Sequence, residues 1–161
     1  MKIKALGIIG LLAISAVLIA PSFASDKEEV AAILKLDAAP EGVVFEIIAR
    51  SDGLSWAIPR ISQHSEALRE KFPGLPIAVV SHGNEQFALQ TKFQQRNAKV
   101  HKQVQSLTQS DIPLHVCGTF AGWRGVSEEE FPDYVDVAAE GPAQVRAYEE
   151  LGYILVVLDE P

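Results

Sequence analysis

The chain carries one thiol, Cys117, and four histidines. Cys117 opens the segment Cys117-Gly118-Thr119-Phe120-Ala121-Gly122-Trp123-Arg124-Gly125-Val126. Glycines let backbone N–H groups approach a sulfur or an anion closely. A nearby Arg or a helix N-terminus favours the thiolate, which is the nucleophilic form. Cys117 is therefore the candidate nucleophile, Arg124 the candidate anion stabiliser, and Gly118 and Thr119 the candidate ligand-binding positions. The competing reading is plain: a lone Cys in an apolar strand is commonly a small inert core residue. His82, in Ser81-His82-Gly83-Asn84, titrates near neutral pH and could tune the thiol or shuttle a proton. It could equally be a turn residue bonded to backbone, with Gly83 and Asn84 as further ligand positions. His115 precedes Cys117 by two residues and shares its strand face. A soft S/N site for copper or zinc could be built from Cys117, His115 and His82, although a satisfied buried His is the simpler account. No resident metal or cofactor is assigned. Ser51-Asp52-Gly53 could hold an anion at a helix start or serve as an ordinary cap. His64 and His101 fall on helical stretches at no ligand spacing and read as surface or packing residues.

Composition removes several function classes. With 161 residues the chain is of single-domain size. One Cys cannot close an internal disulfide or build a Cys-based zinc ribbon. The 14 Lys+Arg against 21 Asp+Glu give a formal net charge of -7. Such a balance argues against binding nucleic acid through its phosphates.

The first residues read as a targeting signal. Lys2 and Lys4 are followed by an uncharged Leu/Ile/Ala-rich run from Ala5 to Ala20, then Pro21 and the small residues Ser22 and Ala24. This is the layout of a secretory signal peptide cleaved after Ala24. The mature domain would span 25–161, more acidic still without the two lysines, in the periplasm and with no membrane span after cleavage. That compartment oxidises paired thiols, so a lone Cys there calls for an explanation.

The elements that must position these residues alternate between strand and helix. Short β-branched runs at 43–48, 77–80, 114–117, 135–138 and 153–158 are bounded by turn residues and predict five strands. Helical spacing predicts helices over 54–72, 87–109 and 141–150, with an N-terminal arm or short helix in 25–41. Ser127 would cap an acidic first turn at Glu128-Glu129-Glu130. Strand–helix alternation with continuous apolar strands implies a parallel sheet buried on both faces, a three-layer α/β/α sandwich. Ligands in such folds bind beyond the C-terminal ends of the strands. Cys117 and His82 both fall at that edge. Trp123, Phe120 and Phe131 are expected to lie exposed near it and to favour subunit contacts.

The spacing from Cys117 to Arg124-Gly125-Val126 resembles the segment around the persulfide-carrying cysteine of the DsrE-like sulfur-relay family. The His82-Gly83 pair after the second strand, the short strand before Gly141 and Leu151-Gly152-Tyr153 before an apolar last strand resemble that family too. The likeness covers about residues 42–158. It implies a five-stranded parallel sheet of order 4-3-2-1-5, which would put the strands carrying His82 and Cys117 side by side. It further implies a homo-oligomer, a trimer or hexamer, and a persulfide on Cys117 exchanged with sulfur donor and acceptor proteins. An export signal departs from the cytoplasmic members. The alternative is a non-catalytic oligomeric periplasmic module that binds a small ligand or metal.

Overall fold

The computed structural model describes residues 25–158 and 160; the expected signal peptide, 1–24, lies outside the described residues. In chain order the elements are α1 (Asp26–Ile33), β1 (Gly42–Ile47), α2 (Leu54–Lys71), β2 (Ile77–Ser81), α3 (Ala98–Gln109), β3 (Leu114–Cys117), α4 (Gly118–Trp123), β4 (Asp136–Ala138), α5 (Gly141–Glu150) and β5 (Tyr153–Leu158). Short 3-10 turns occupy Asn84–Leu89, Thr91–Phe93 and Glu128–Glu130. The five strands form one sheet of order β4-β3-β2-β1-β5, every pair parallel.

The topology explains the layering. From β1 to β4 the chain steps in one direction across the sheet, and right-handed crossovers put every intervening helix on the same face. The return from edge β4 to edge β5 reverses direction, so α5 lies on the opposite face. Alternate strand residues sort accordingly. Val43, Phe45, Ile47, Val79, Leu114 and Val116 pack in the larger core, which also takes in Ala57, Ile58, Ile61 and Leu68 of α2 and Val104 and Leu107 of α3. Val44, Ala78 and Val80 face Val145 of α5, joined by Tyr148, Tyr153 and Leu155.

The N-terminal segment is a helix. Ser25 and Glu28 form a reciprocal capping box at its start. Asp26 is buried, bonded to Arg60 at 3.1 Å and to His64 at 2.8 Å, which locks α1 onto α2. His64 is thus a packing residue with a charged partner rather than a surface one.

Three expectations are corrected. The helix expected over 87–109 begins only at Ala98; before it come two tight turns separated by Gln90 in an extended conformation. Asn97 donates its side-chain amide to the Ala88 carbonyl, and His101 bonds the same oxygen as well as the Tyr134 hydroxyl. These bonds fold the segment back on itself and compete with helix propagation. The stretch after Cys117, where the sequence predicts no helix, is the short helix α4. Phe131 is buried in the core and contributes nothing to an exposed patch, whereas Trp123 is 79% exposed.

Candidate functional site

Cys117 ends β3 and caps α4, with extended backbone angles (φ -87, ψ 109). The Phe120 N–H points at its Sγ at 3.4 Å. The Thr119 N–H and hydroxyl both donate to the Ala139 carbonyl, at 3.0 and 2.8 Å, tying α4 to the end of β4. Gly118 sits against that same strand end, where a Cβ would lie 3.1 Å from the Ala138 oxygen.

Two fully buried polar residues, which the sequence reading passed over, hold this edge together. The Gln86 side chain accepts the Cys117 N–H at 2.7 Å and donates to the Cys117 carbonyl at 3.4 Å. It pairs the end of β3 as a neighbouring strand would. Glu85 accepts from the Ala49 N–H (2.7 Å), the Ser81 hydroxyl (2.8 Å) and the Gly83 N–H (2.9 Å), joining the ends of β1 and β2. Burial pushes its carboxyl above the ordinary carboxylate range, against these three bonds, which pull it down. Gly83 is therefore occupied by the carboxylate it touches. A Cβ there would meet Glu85 Oε2 at 2.3 Å.

Beyond the strand ends, Cys117, His82, Thr119, Phe120, Trp123 and Glu140 line a pocket of about 320 Å³. Cys117 itself is only 5% exposed, so the pocket is the route to its sulfur. His82 reaches the pocket with its ring held by Glu46, Nε2 to Oε1 at 2.7 Å. Glu46 is the one polar residue inside the apolar run of β1, a signal present in the sequence but not used. Gly141, first residue of α5, lies against His82; a Cβ at that position would meet the His82 Cβ at 2.4 Å. The absent side chain is what leaves room for the imidazole.

The structure brings Cys117, His82 and Thr119 together and places the other candidates elsewhere. Arg124 does not line the thiol pocket. Its Nη1 donates to Asn84 Oδ1 at 3.0 Å, and its guanidinium stacks on Phe87, 5.2 Å from the ring centroid. Arg124, Asn84 and Ser51 line a neighbouring groove, and Asp52 lines its continuation. α2 starts from Gly53 with no side-chain cap, so neither Ser51 nor Asp52 caps it. His115 turns to the Tyr148 hydroxyl at 2.8 Å, with Asp136 at 3.9 Å from its other nitrogen. Burial lowers its basicity, with Asp136 opposing. Among the described residues no cluster of three His, Cys, Asp or Glu side chains could hold a metal ion. The Cys117–His115–His82 metal arrangement is not assembled.

The thiol and a carboxylate-held imidazole line the same small, largely apolar pocket, but the only partner of Cys117 Sγ among the described residues is the Phe120 N–H. Comparisons with known proteins bear on the fold. No protein-family model matches the chain, and no curated protein does. Among solved structures, one neighbour is MTH1491, a protein of unknown function from Methanobacterium thermoautotrophicum. It is 21% identical over 71% of this chain and 96% of its own, with a TM-score of 0.58. Another is the ychN protein from E. coli, 19% identical over 73% of this chain and 97% of its own, with a TM-score of 0.50. The chain shares its fold with these two proteins: the five-stranded parallel sheet of order 4-3-2-1-5 flanked by helices.

Proposed function

We propose that the protein carries sulfane sulfur as a persulfide on Cys117, in the manner of the DsrE-like sulfur-relay proteins its sequence resembles. One observation carries the reading. The chain's single thiol stands at the C-terminal end of β3, inside a pocket it shares with an imidazole held by Glu46. In the loading step His82 takes the thiol proton. The Cys117 thiolate attacks the sulfane sulfur of a donor such as thiosulfate, the donor S–S bond breaks, and sulfite leaves with the bond's electron pair. An acceptor thiolate then attacks the outer sulfur, and the Cys117 thiolate is the leaving group. The Phe120 N–H faces the sulfur at 3.4 Å, ready to donate to its anionic form. The absence of a second Cys suits a carrier, because a neighbouring thiol would resolve the persulfide into a disulfide.

The setting belongs to the same proposal. A chain with this leader is exported and processed after Ala24, and it meets sulfur donor and acceptor proteins in the periplasm. Trp123, exposed at the pocket rim, is the residue that a trimer or hexamer would cover.

Intact-mass spectrometry after incubation with thiosulfate or polysulfide tests the chemistry. Adducts of about 32 Da that vanish in Cys117→Ser are expected for persulfidation. No adduct, with iodoacetamide still alkylating Cys117, overturns the proposal. The 5% exposure of Cys117 favours a second reading, a non-catalytic binding module with the thiol as pocket wall. Resistance of Cys117 to both reagents would overturn the proposal too and mark the thiol as an inert core residue.

A further inference from the structure

Next to the thiol pocket, on the other side of the Phe87–Phe120 ring contact, runs a groove lined by cationic side chains. It has a volume of about 550 Å³. It continues into a hollow of about 360 Å³ with which it shares Ser51, Asn84, Phe87 and Phe93. Arg50, Lys92 and Arg124 line the larger part, and no carboxylate does. Arg96 and Asp52 line the continuation. This is an unusual grouping in a chain of net charge -7.

The cations are available. Arg96 has no partner among the described residues, and Arg124 is held only by the neutral Asn84 amide and the face of Phe87. Arg50 and Lys92 pair with Glu160 (3.2 Å) and Glu130 (3.0 Å), but these pairs are largely exposed. Exposed pairs of this kind contribute little and exchange readily for a better anion. Asn84 spends its Oδ1 on Arg124, which leaves its Nδ2 donors without a protein partner among the described residues. The Phe87 and Phe93 rings form the apolar part of the wall, with Arg124 5.2 Å from the centroid of one and Lys92 5.4 Å from that of the other.

The geometry points to a binding site for a small organic oxyanion, a phosphate or sulfonate head on a flat apolar body. The head would sit between Arg124, Lys92 and Arg50, where the guanidinium forks match such oxygens. Asn84 Nδ2 supplies a further donor, and the flat body lies along Phe87 and Phe93. The site is distinct from the thiol pocket and uses no sulfur chemistry.

The probe is 1-naphthyl phosphate, titrated into the purified protein. Calorimetry gives the affinity, and NMR follows the Asn84 side-chain amide. Saturable binding with movement of that amide is expected. Arg124→Gln and Phe87→Leu should each weaken binding by about tenfold or more, the loss of a charge-assisted contact or of ring stacking. Arg96→Gln should weaken it less, and Cys117→Ser should leave it unchanged even if Cys117 carries no sulfur. Inorganic phosphate should bind at least about tenfold more weakly, lacking the apolar body, and naphthalene-1-sulfonate should compete. The proposal is overturned if no saturable binding occurs, or if Arg124→Gln binds as the parent does. Equal binding of inorganic phosphate, or of neutral 1-naphthol, overturns it as well.

Discussion

Gln86 should be the residue on which the thiol edge depends most. Its side chain is fully buried and bonds both backbone polar groups of Cys117. Gln86→Leu keeps the volume and removes both bonds. The Cys117 N–H is then a buried donor without a partner, which costs about 1–3 kcal/mol. The longer bond to the carbonyl adds little. Gln86→Ala adds a cavity where the rest of the side chain stood, so its cost exceeds that of the Leu variant, by about 2 kcal/mol at the low end of the large-to-small range. Against a total stability of about 5–15 kcal/mol, either change is large but survivable. Urea denaturation should show the midpoint falling in the order parent, Leu, Ala. Native-state hydrogen exchange should show the Cys117 amide losing protection far beyond the global change. Iodoacetamide should react faster with Cys117 in both variants, because the strand end that carries it loosens. A cost below about 0.5 kcal/mol in the Leu variant, with the Cys117 amide as protected as before, would refute the reasoning.

Gly141→Ala should push the His82 ring off Glu46, since the new Cβ would fall 2.4 Å from the His82 Cβ. Overpacking of this kind costs about 1–3 kcal/mol, and the His82 ring resonances should report the lost contact while sulfur loading slows. The contribution of two histidines to stability should also fall on mild acidification. Burial holds the His101 and His115 rings below the ordinary imidazole value of 6.5, so the unfolded chain takes up protons first. Their contribution is complete above 6.5 and is lost as pH falls from there through the lowered folded values. Glu85 works in the opposite sense: its folded carboxyl protonates more readily than the ordinary 4.5, so it gains stability as pH falls through its raised folded value. Between about pH 7.5 and about pH 5.5 the urea midpoint of the parent should therefore fall relative to that of His115→Gln, which keeps Glu85 and lacks one of the two lowered imidazoles.

The apolar strands were readable because each is a short β-branched run closed by Pro or Gly. β3, α5 and β5 start and stop at the residues expected, with Pro113, Gly141-Pro142 and Gly152 marking the limits. The address of Cys117 followed from that reading. What periodicity could not show is the behaviour of polar residues near the strand ends. Glu85 and Gln86 stand in a stretch that reads as the approach to a surface helix, yet both point inward and satisfy backbone groups brought together by the tertiary fold. The same limit hid the start of α3, which is decided by Asn97 and His101 reaching back to one carbonyl. Arg124 shows it from the other side. It lies seven positions after Cys117, and α4 carries it round to Asn84 and Phe87 instead.

The strand order has a consequence for how the chain must fold. β1 sits between β2 and β5, and Val43 pairs with Ile154. These partners are roughly 110 residues apart, so their pairing forms late and slowly compared with local contacts. Until β5 arrives, β1 presents an open row of backbone donors and acceptors, the template on which edge-to-edge aggregation starts. A chain that emerges from its N-terminus first holds this vulnerable edge for nearly the whole of its synthesis. Shortening the chain by its last strand would leave an aggregating protein rather than a smaller domain.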